Sequence, residues 1–250
     1  MSTIEERRAI ASDGVQDYRL NGAVGTRVFL QPIAAPSILG LFGFAAATFM
    51  VAANLAGWYG NHTTTPLALA PFAFVFGGIG QFMAGMWAYR ARDGLATAMH
   101  GMWGSFWIAY GLLQLLVGVH VIAAPSQWYH DTAFGFWFFA LAVITGSGAL
   151  AALAENLGMF AVLGTLCVGS ALLAGALIYG TEGLATAAGW VLVASAIVAW
   201  YVATAMMLAY AGGRTILPLG KYSKAANKPG ARPTRPIELE WAEPGVKMGQ

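Results

Sequence analysis

Six long apolar runs, parted by short clusters of charged and turn-forming residues, occupy the middle of the chain. They are Pro36–Trp58, Pro66–Tyr89, Ala96–Ala123, Thr132–Leu153, Gly158–Tyr179 and Leu184–Ala211. A helix needs about 20 predominantly apolar residues to cross the hydrocarbon core of a bilayer, and every run reaches that length. The breaks hold Gly60-Asn61-His62-Thr63, Arg90-Ala91-Arg92-Asp93-Gly94, Pro125 to Asp131, Glu155-Asn156 and Gly180-Thr181-Glu182-Gly183. Such residues end helices and make turns. Connections this short oblige consecutive helices to run antiparallel, side by side. The pattern predicts an all-α polytopic membrane protein, a six-transmembrane-helix bundle spanning residues 36–211.

Charge placement orients the bundle. No Lys or Arg lies between Arg27 and Arg90, or between Arg92 and Arg214. Ionised groups at the centre of a bilayer cost several kcal/mol each, which accounts for such deserts. With the N-terminus inside, all 13 Lys and Arg residues fall in 1–35, 90–94, 154–157 and 212–250. The opposite loops carry only the acids Asp131 and Glu182. Cations gather on the cytoplasmic side of membrane proteins, so both termini are expected in the cytoplasm and the protein in the inner (cytoplasmic) membrane. Residues 1–35 read as a cytoplasmic N-terminal segment without the apolar stretch of a secretory signal. Residues 212–250 read as a cytoplasmic tail rich in proline, with a basic run before an acidic one. Overall, 58% of the 250 residues are apolar and 10% charged, against roughly 25% charged in a soluble domain. The net charge of +2 is too small to suggest nucleic acid.

Catalytic chemistry finds no footing. The single cysteine, Cys167, lies inside an apolar run and excludes an intrachain disulfide or a CxxC site. No phosphate-binding loop, HExxH, paired carboxylates or Cys/His cluster occurs, so no enzyme, cofactor or metal is expected. No Asp, Glu, Lys or Arg sits at mid-depth in any run, whereas proton-driven pumps commonly keep an intramembrane carboxylate. That absence favours a channel or facilitator. The polar residues within the runs are uncharged. Gln81 stands out, because its amide cannot satisfy every valence locally and Gly77-Gly78-Ile79-Gly80 lets other groups approach it. His100 and Ser105 are further candidates for a lumen. The abundant glycine and alanine at four-residue spacing read first as helix-packing surface, and Trp58, Tyr59, Tyr89, Trp128, Tyr129 and Tyr179 as interfacial anchors.

Several segments resemble one family. Ala35-Pro36-Ser37-Ile38-Leu39-Gly40-Leu41-Phe42-Gly43-Phe44 is similar to the signature opening the first helix of the acetate uptake transporters, the succinate–acetate permeases. Gly77-Gly78-Ile79-Gly80-Gln81-Phe82-Met83-Ala84-Gly85-Met86-Trp87 resembles their second helix, and Gly104-Ser105-Phe106-Trp107 their third. Ala188-Gly189-Trp190 and Gly213 to Gly220 resemble the sixth and its exit. The resemblance runs in consistent order over about residues 35 to 220. It implies a homo-oligomer, a hexamer with one pore per subunit, that conducts acetate and in some members succinate. It implies an apolar constriction at Phe44, Trp103 and Leu166, with Trp103 standing where the family has tyrosine. It also implies that the signature residues Pro36, Ser37, Leu39, Gly40 and Leu41 lie along the substrate path. Departures occur at Ala35, Ile38, Ala88 and Arg92-Asp93-Gly94-Leu95.

Together these observations lead to a channel for acetate and similar short monocarboxylates, a small organic acid being its partner besides lipid. Two alternatives remain open at this point: a channel for a small neutral solute (urea, an amide or ammonia), and a membrane scaffold that transports nothing.

Overall fold

The computed structural model describes residues 33–222. The N-terminal segment up to residue 32 and the tail beyond Tyr222, with its basic and acidic runs, lie outside the described residues.

Among the described residues six helical rods follow one another, with no strand longer than an isolated bridge. They are α1 (Pro36–Leu55), α2 (Thr65–Arg90), α3 (Gly94–Gly118), α4 (Thr132–Ala152), α5 (Leu157–Tyr179) and α6 (Glu182–Gly212). Their starts lie at the punctuation already visible in the chain. Asp93, Asp131 and Asn156 each accept a hydrogen bond from the backbone N–H three residues on, at 2.9, 3.0 and 2.8 Å. A short acceptor placed there satisfies one of the orphan donors of the first helical turn. Glycines in the left-handed region end α5 at Gly180 and α6 at Gly213, the usual exit where no Cβ is wanted.

Two helices stop short of their expected ends. α1 closes at Leu55 because the Asn54 side chain turns back to donate to the carbonyl of Tyr59 at 2.8 Å. α3 closes at Gly118, and His120 adopts φ 62°. Five of the six rods are long and apolar enough to cross a membrane. The exception is α3, the expected third span. Its 25 residues extend about 37 Å at 1.5 Å per residue, but His100, Gln114 and its glycines lower its hydropathy. The outer surface is itself apolar: on α2 alone, Phe72, Val75, Phe76, Ile79, Met83 and Trp87 are exposed. A patch of that kind marks lipid or partner contact.

Close backbone approach holds the rods together. An added Cβ at Gly85 would sit 2.7 Å from the Gly101 backbone nitrogen, and one at Gly104 would sit 2.6 Å from that of Phe82, so α2 and α3 touch through their main chains. Gly189 does the same between α6 and α1, 2.6 Å from the Ala56 nitrogen. Small residues at crossings are the means by which helices associate in lipid.

Within α2 the hydrogen bonding changes character. Ala73–Gly80 is a π-helical stretch of eight residues, entered just after Pro71 and left at Gln81. Such stretches are rare and gather at functional sites.

Candidate functional site

Helical geometry sorts the signature of α1 by face. Ser37, Leu41 and Phe44, at i, i+4 and i+7, are buried on the inner side. Leu39, half a turn round, points outward and is 51% exposed. Pro36 sits half-buried in the first turn of α1 and borders no cavity. Gly40 is buried but acts as a backing wall: an added Cβ would meet the His100 ring at 2.5 Å. A contiguous stretch of a helix cannot line a lumen with all its residues, and Leu39, Pro36 and Gly40 line neither of the two cavities within the bundle.

Two cavities lie inside the bundle. The first, of about 730 Å³, is walled by Ser37, Leu41, Phe44, Gln81, Met99, His100 and Trp103, with Val162, Leu163 and Leu166 of α5. Its mouth holds Asp93, Glu155, Arg214 and Lys221. The second, of about 410 Å³, continues along the same helices: Thr48, Val51 and Leu55 on α1, Trp103, Phe106, Trp107 and Tyr110 on α3, Leu166, Leu173 and Leu177 on α5. It ends at the loops carrying His62, Thr63 and Ser126–Asp131. Both are roomy for a molecule the size of acetate, ligand sites being typically 300–1,000 Å³. Trp103 and Leu166 belong to both walls. Phe44 closes the first cavity, and Thr48, one turn further on, opens the second.

Phe44, Trp103 and Leu166 are therefore brought together where the cavities meet. They are 2%, 3% and 1% exposed, and the Phe44 and Trp103 rings meet edge to face with centroids 6.2 Å apart. The Trp103 indole N–H donates to Thr145 Oγ1 on α4 at 3.0 Å, which fixes the tilt of the ring. Thr145 lies 42 residues away, and the helical pattern gives no sign of the pairing. Behind Trp103, Phe106, Phe134 and Phe138 continue an aromatic stack.

Gln81 and His100 do share the first cavity, with Gln81 Nε2 lying 3.5 Å from His100 Nδ1. His100 is buried within the bundle at 5% exposed. Gln81 Oε1 has no hydrogen-bond partner, nor do Thr48 Oγ1 and Trp107 Nε1 on the second cavity. An unmet buried polar group costs about 1–3 kcal/mol, so these three mark places where a solute or water would be held. Thr48 and Trp107 escaped sequence reasoning, although Trp107 ends the Gly-Ser-Phe-Trp motif. Ser105, also of that motif, is exposed on the outer face of α3 and donates to the Gly101 carbonyl at 2.8 Å. It stands off both cavities.

The geometry of α2 explains how Gln81 reaches the lumen. The π stretch ends at Gln81, whose backbone N–H bonds the carbonyls of Gly78 and Phe76. Gly77 and Gly78 let α2 lie against Trp107 and Ile108 of α3, and Gly43 of α1 lies against the Phe76 carbonyl, where a Cβ would collide. At the far end, His62 stacks on Trp128 with ring centroids 3.7 Å apart, joining two loops beside the mouth of the second cavity.

Sequence comparison places this arrangement. The profile of the GPR1/FUN34/yaaH family matches residues 21–218. The chain belongs to that family. The Escherichia coli (strain K12) succinate-acetate/proton symporter SatP is 28% identical over 190 residues, covering 76% of this chain and 96% of its own. Ammonia transport outward protein 2 of Saccharomyces cerevisiae is 28% identical over 169 residues, 67% of this chain and 59% of that protein. The solved structure of the bacterial acetate channel SatP superposes with a TM-score of 0.69 at 26% identity, covering 76% of this chain and all of that one. The chain is thus a multi-pass membrane protein of a transporter family.

Proposed function

We propose that the protein is a channel for acetate and similar short monocarboxylates, succinate included, each chain carrying its own pore. One observation carries this reading: two cavities line up along α1, α3 and α5 and share Trp103 and Leu166 at their junction. A solute entering by the mouth at Asp93 and Arg214 would pass Ser37, Leu41, Gln81 and His100. It would then squeeze between Phe44, Trp103 and Leu166 and leave past Trp107 and Thr48. An apolar constriction closes by dewetting and opens to a solute that brings its own water. The names of the bacterial symporter and channel agree with this substrate.

The same reading has all six rods crossing the inner membrane, both termini in the cytoplasm, the residues before 36 and after 211 as cytoplasmic segments, and six chains assembled. It involves no catalysis.

Uptake of labelled acetate into liposomes containing the purified chain tests it. Flux above empty vesicles is expected, several-fold higher for Phe44→Ala and Trp103→Ala; no flux above empty vesicles overturns it. A neutral-solute channel is the second reading, favoured by cavity walls whose ionised groups are confined to the two ends, Asp93, Glu155, Arg214 and Lys221 at one and Asp131 at the other, and by the ammonia transporter among the relatives. Vesicle swelling in urea against acetate separates the two. The cavities speak against a scaffold with a solid apolar centre.

A further inference from the structure

The first cavity has one polar feature that an apolar pore does not require. Gln81 is 2% exposed on its wall, with Nε2 3.5 Å from His100 Nδ1 and Oε1 without a partner. His100 is held in place from behind, since an added Cβ on Gly40 would come within 2.5–2.6 Å of three of its ring atoms. A primary amide offers two N–H donors and a carbonyl acceptor. With one N–H turned to His100 Nδ1, the other N–H and Oε1 form an edge with a donor beside an acceptor.

Few groups match such an edge. An undissociated carboxyl group does, its O–H donating to Oε1 while its carbonyl accepts from the amide N–H. A second amide does so equally. A carboxylate does not, because it only accepts and would set one oxygen against Oε1 in a site where low dielectric magnifies the repulsion. We infer that Gln81 is a binding residue for the undissociated carboxyl group of a short acid, with His100 the positioning residue that turns the amide. The substrate class rests on the pore reading above.

The other titratable groups on this cavity are Asp93 on α3's own N-terminus, Glu155 between α4 and α5, Tyr210 on α6, and Arg214, Lys221 and Tyr222 beyond it. α1, α2 and the α5 wall add none. Binding should therefore follow the undissociated acid, about 1 part in 500 at pH 7 for a carboxyl of ordinary pKa near 4.3.

Saturation-transfer NMR on the purified full chain in detergent micelles tests this with acetamide and acetate as probes. At pH 7.5 acetamide should show transfer at least tenfold stronger than acetate, and acetic acid at pH 4.5 should displace it. Gln81→Met should abolish the acetamide signal. His100→Phe should narrow the tenfold preference while both probes still bind, which a merely structural role would not do. Acetate equal to acetamide at pH 7.5 overturns the inference, as does a folded Gln81→Met variant that keeps the acetamide signal. Should Gln81→Met fail to fold, the comparison on the unmodified chain decides alone. Labelled acetate uptake separates the two claims. Flux without amide preference removes the subsite and leaves the pore, whereas amide preference without flux does the reverse.

Discussion

At the scale of single residues, the junction of the cavities depends on how Trp103 is held. A tryptophan packed only by apolar neighbours would rotate within its aromatic cage; here the bond to Thr145 sets the angle at which it meets Phe44. Thr145→Val keeps the volume and removes the acceptor. The buried indole N–H is then orphaned, at a cost of about 1–3 kcal/mol, and a lower thermal midpoint in detergent with altered acetate flux is the expected result. An unchanged midpoint would mean that the indole finds another partner. The stack of His62 on Trp128 works differently, because it lies in the loops. Burial is the larger influence and holds the His62 pKa below its ordinary value, with Glu182 pulling the other way. A histidine with a depressed folded pKa contributes stability fully above its unfolded pKa, about 6.5, and loses it as pH falls towards the folded value. Lowering pH from 7.5 to 5.5 should therefore reduce the thermal midpoint more in the native chain than in His62→Gln. Equal reductions would contradict that.

At the scale of elements, α2 departs most from a simple span. A π stretch adds residues per turn and so rotates everything beyond it relative to what precedes. Deleting one residue within Ala73–Gly80 should restore α-helical winding and change the angle at which the segment before it meets Gln81. Circular dichroism should stay helical while acetate flux is lost; retained flux would show that the π stretch does not position Gln81. This element also shows the reach of the sequence. The apolar runs, the breaks that hold Asp93, Asp131 and Asn156, and the small residues as packing surface were legible, because transfer energy, turn formation and close approach are local in the chain. The π stretch was not, because it depends on Gly43 of another helix lying against the Phe76 carbonyl. Nor were Thr145 and Thr48, whose significance lies in partners and cavities built by distant segments. Leu39 and Ser105 fall on exposed faces for a simpler reason: a motif is contiguous, whereas a helix face takes every third or fourth residue.

At the scale of the whole molecule, the bundle keeps charge at its ends and leaves an apolar middle with a few uncharged polar groups. The first mouth carries Arg214 and Lys221 beside Asp93 and Glu155, whereas the other end carries Asp131 and, among the described residues, no cation, and the proposed topology makes the first mouth cytoplasmic. Ser126→Cys, in a Cys167→Ala background, should react with a membrane-impermeant thiol reagent added outside intact cells; labelling only after lysis would reverse the orientation. The comparatively polar α3 forms a wall of both cavities, as a span facing an aqueous path would. The central claim, passage between Phe44, Trp103 and Leu166, is tested most directly by labelled acetate flux into liposomes with the junction altered in both directions. Trp103→Ala should raise the flux several-fold and Leu166→Trp should reduce it at least tenfold, both folded. Equal flux in the native chain and the two variants would place the path elsewhere.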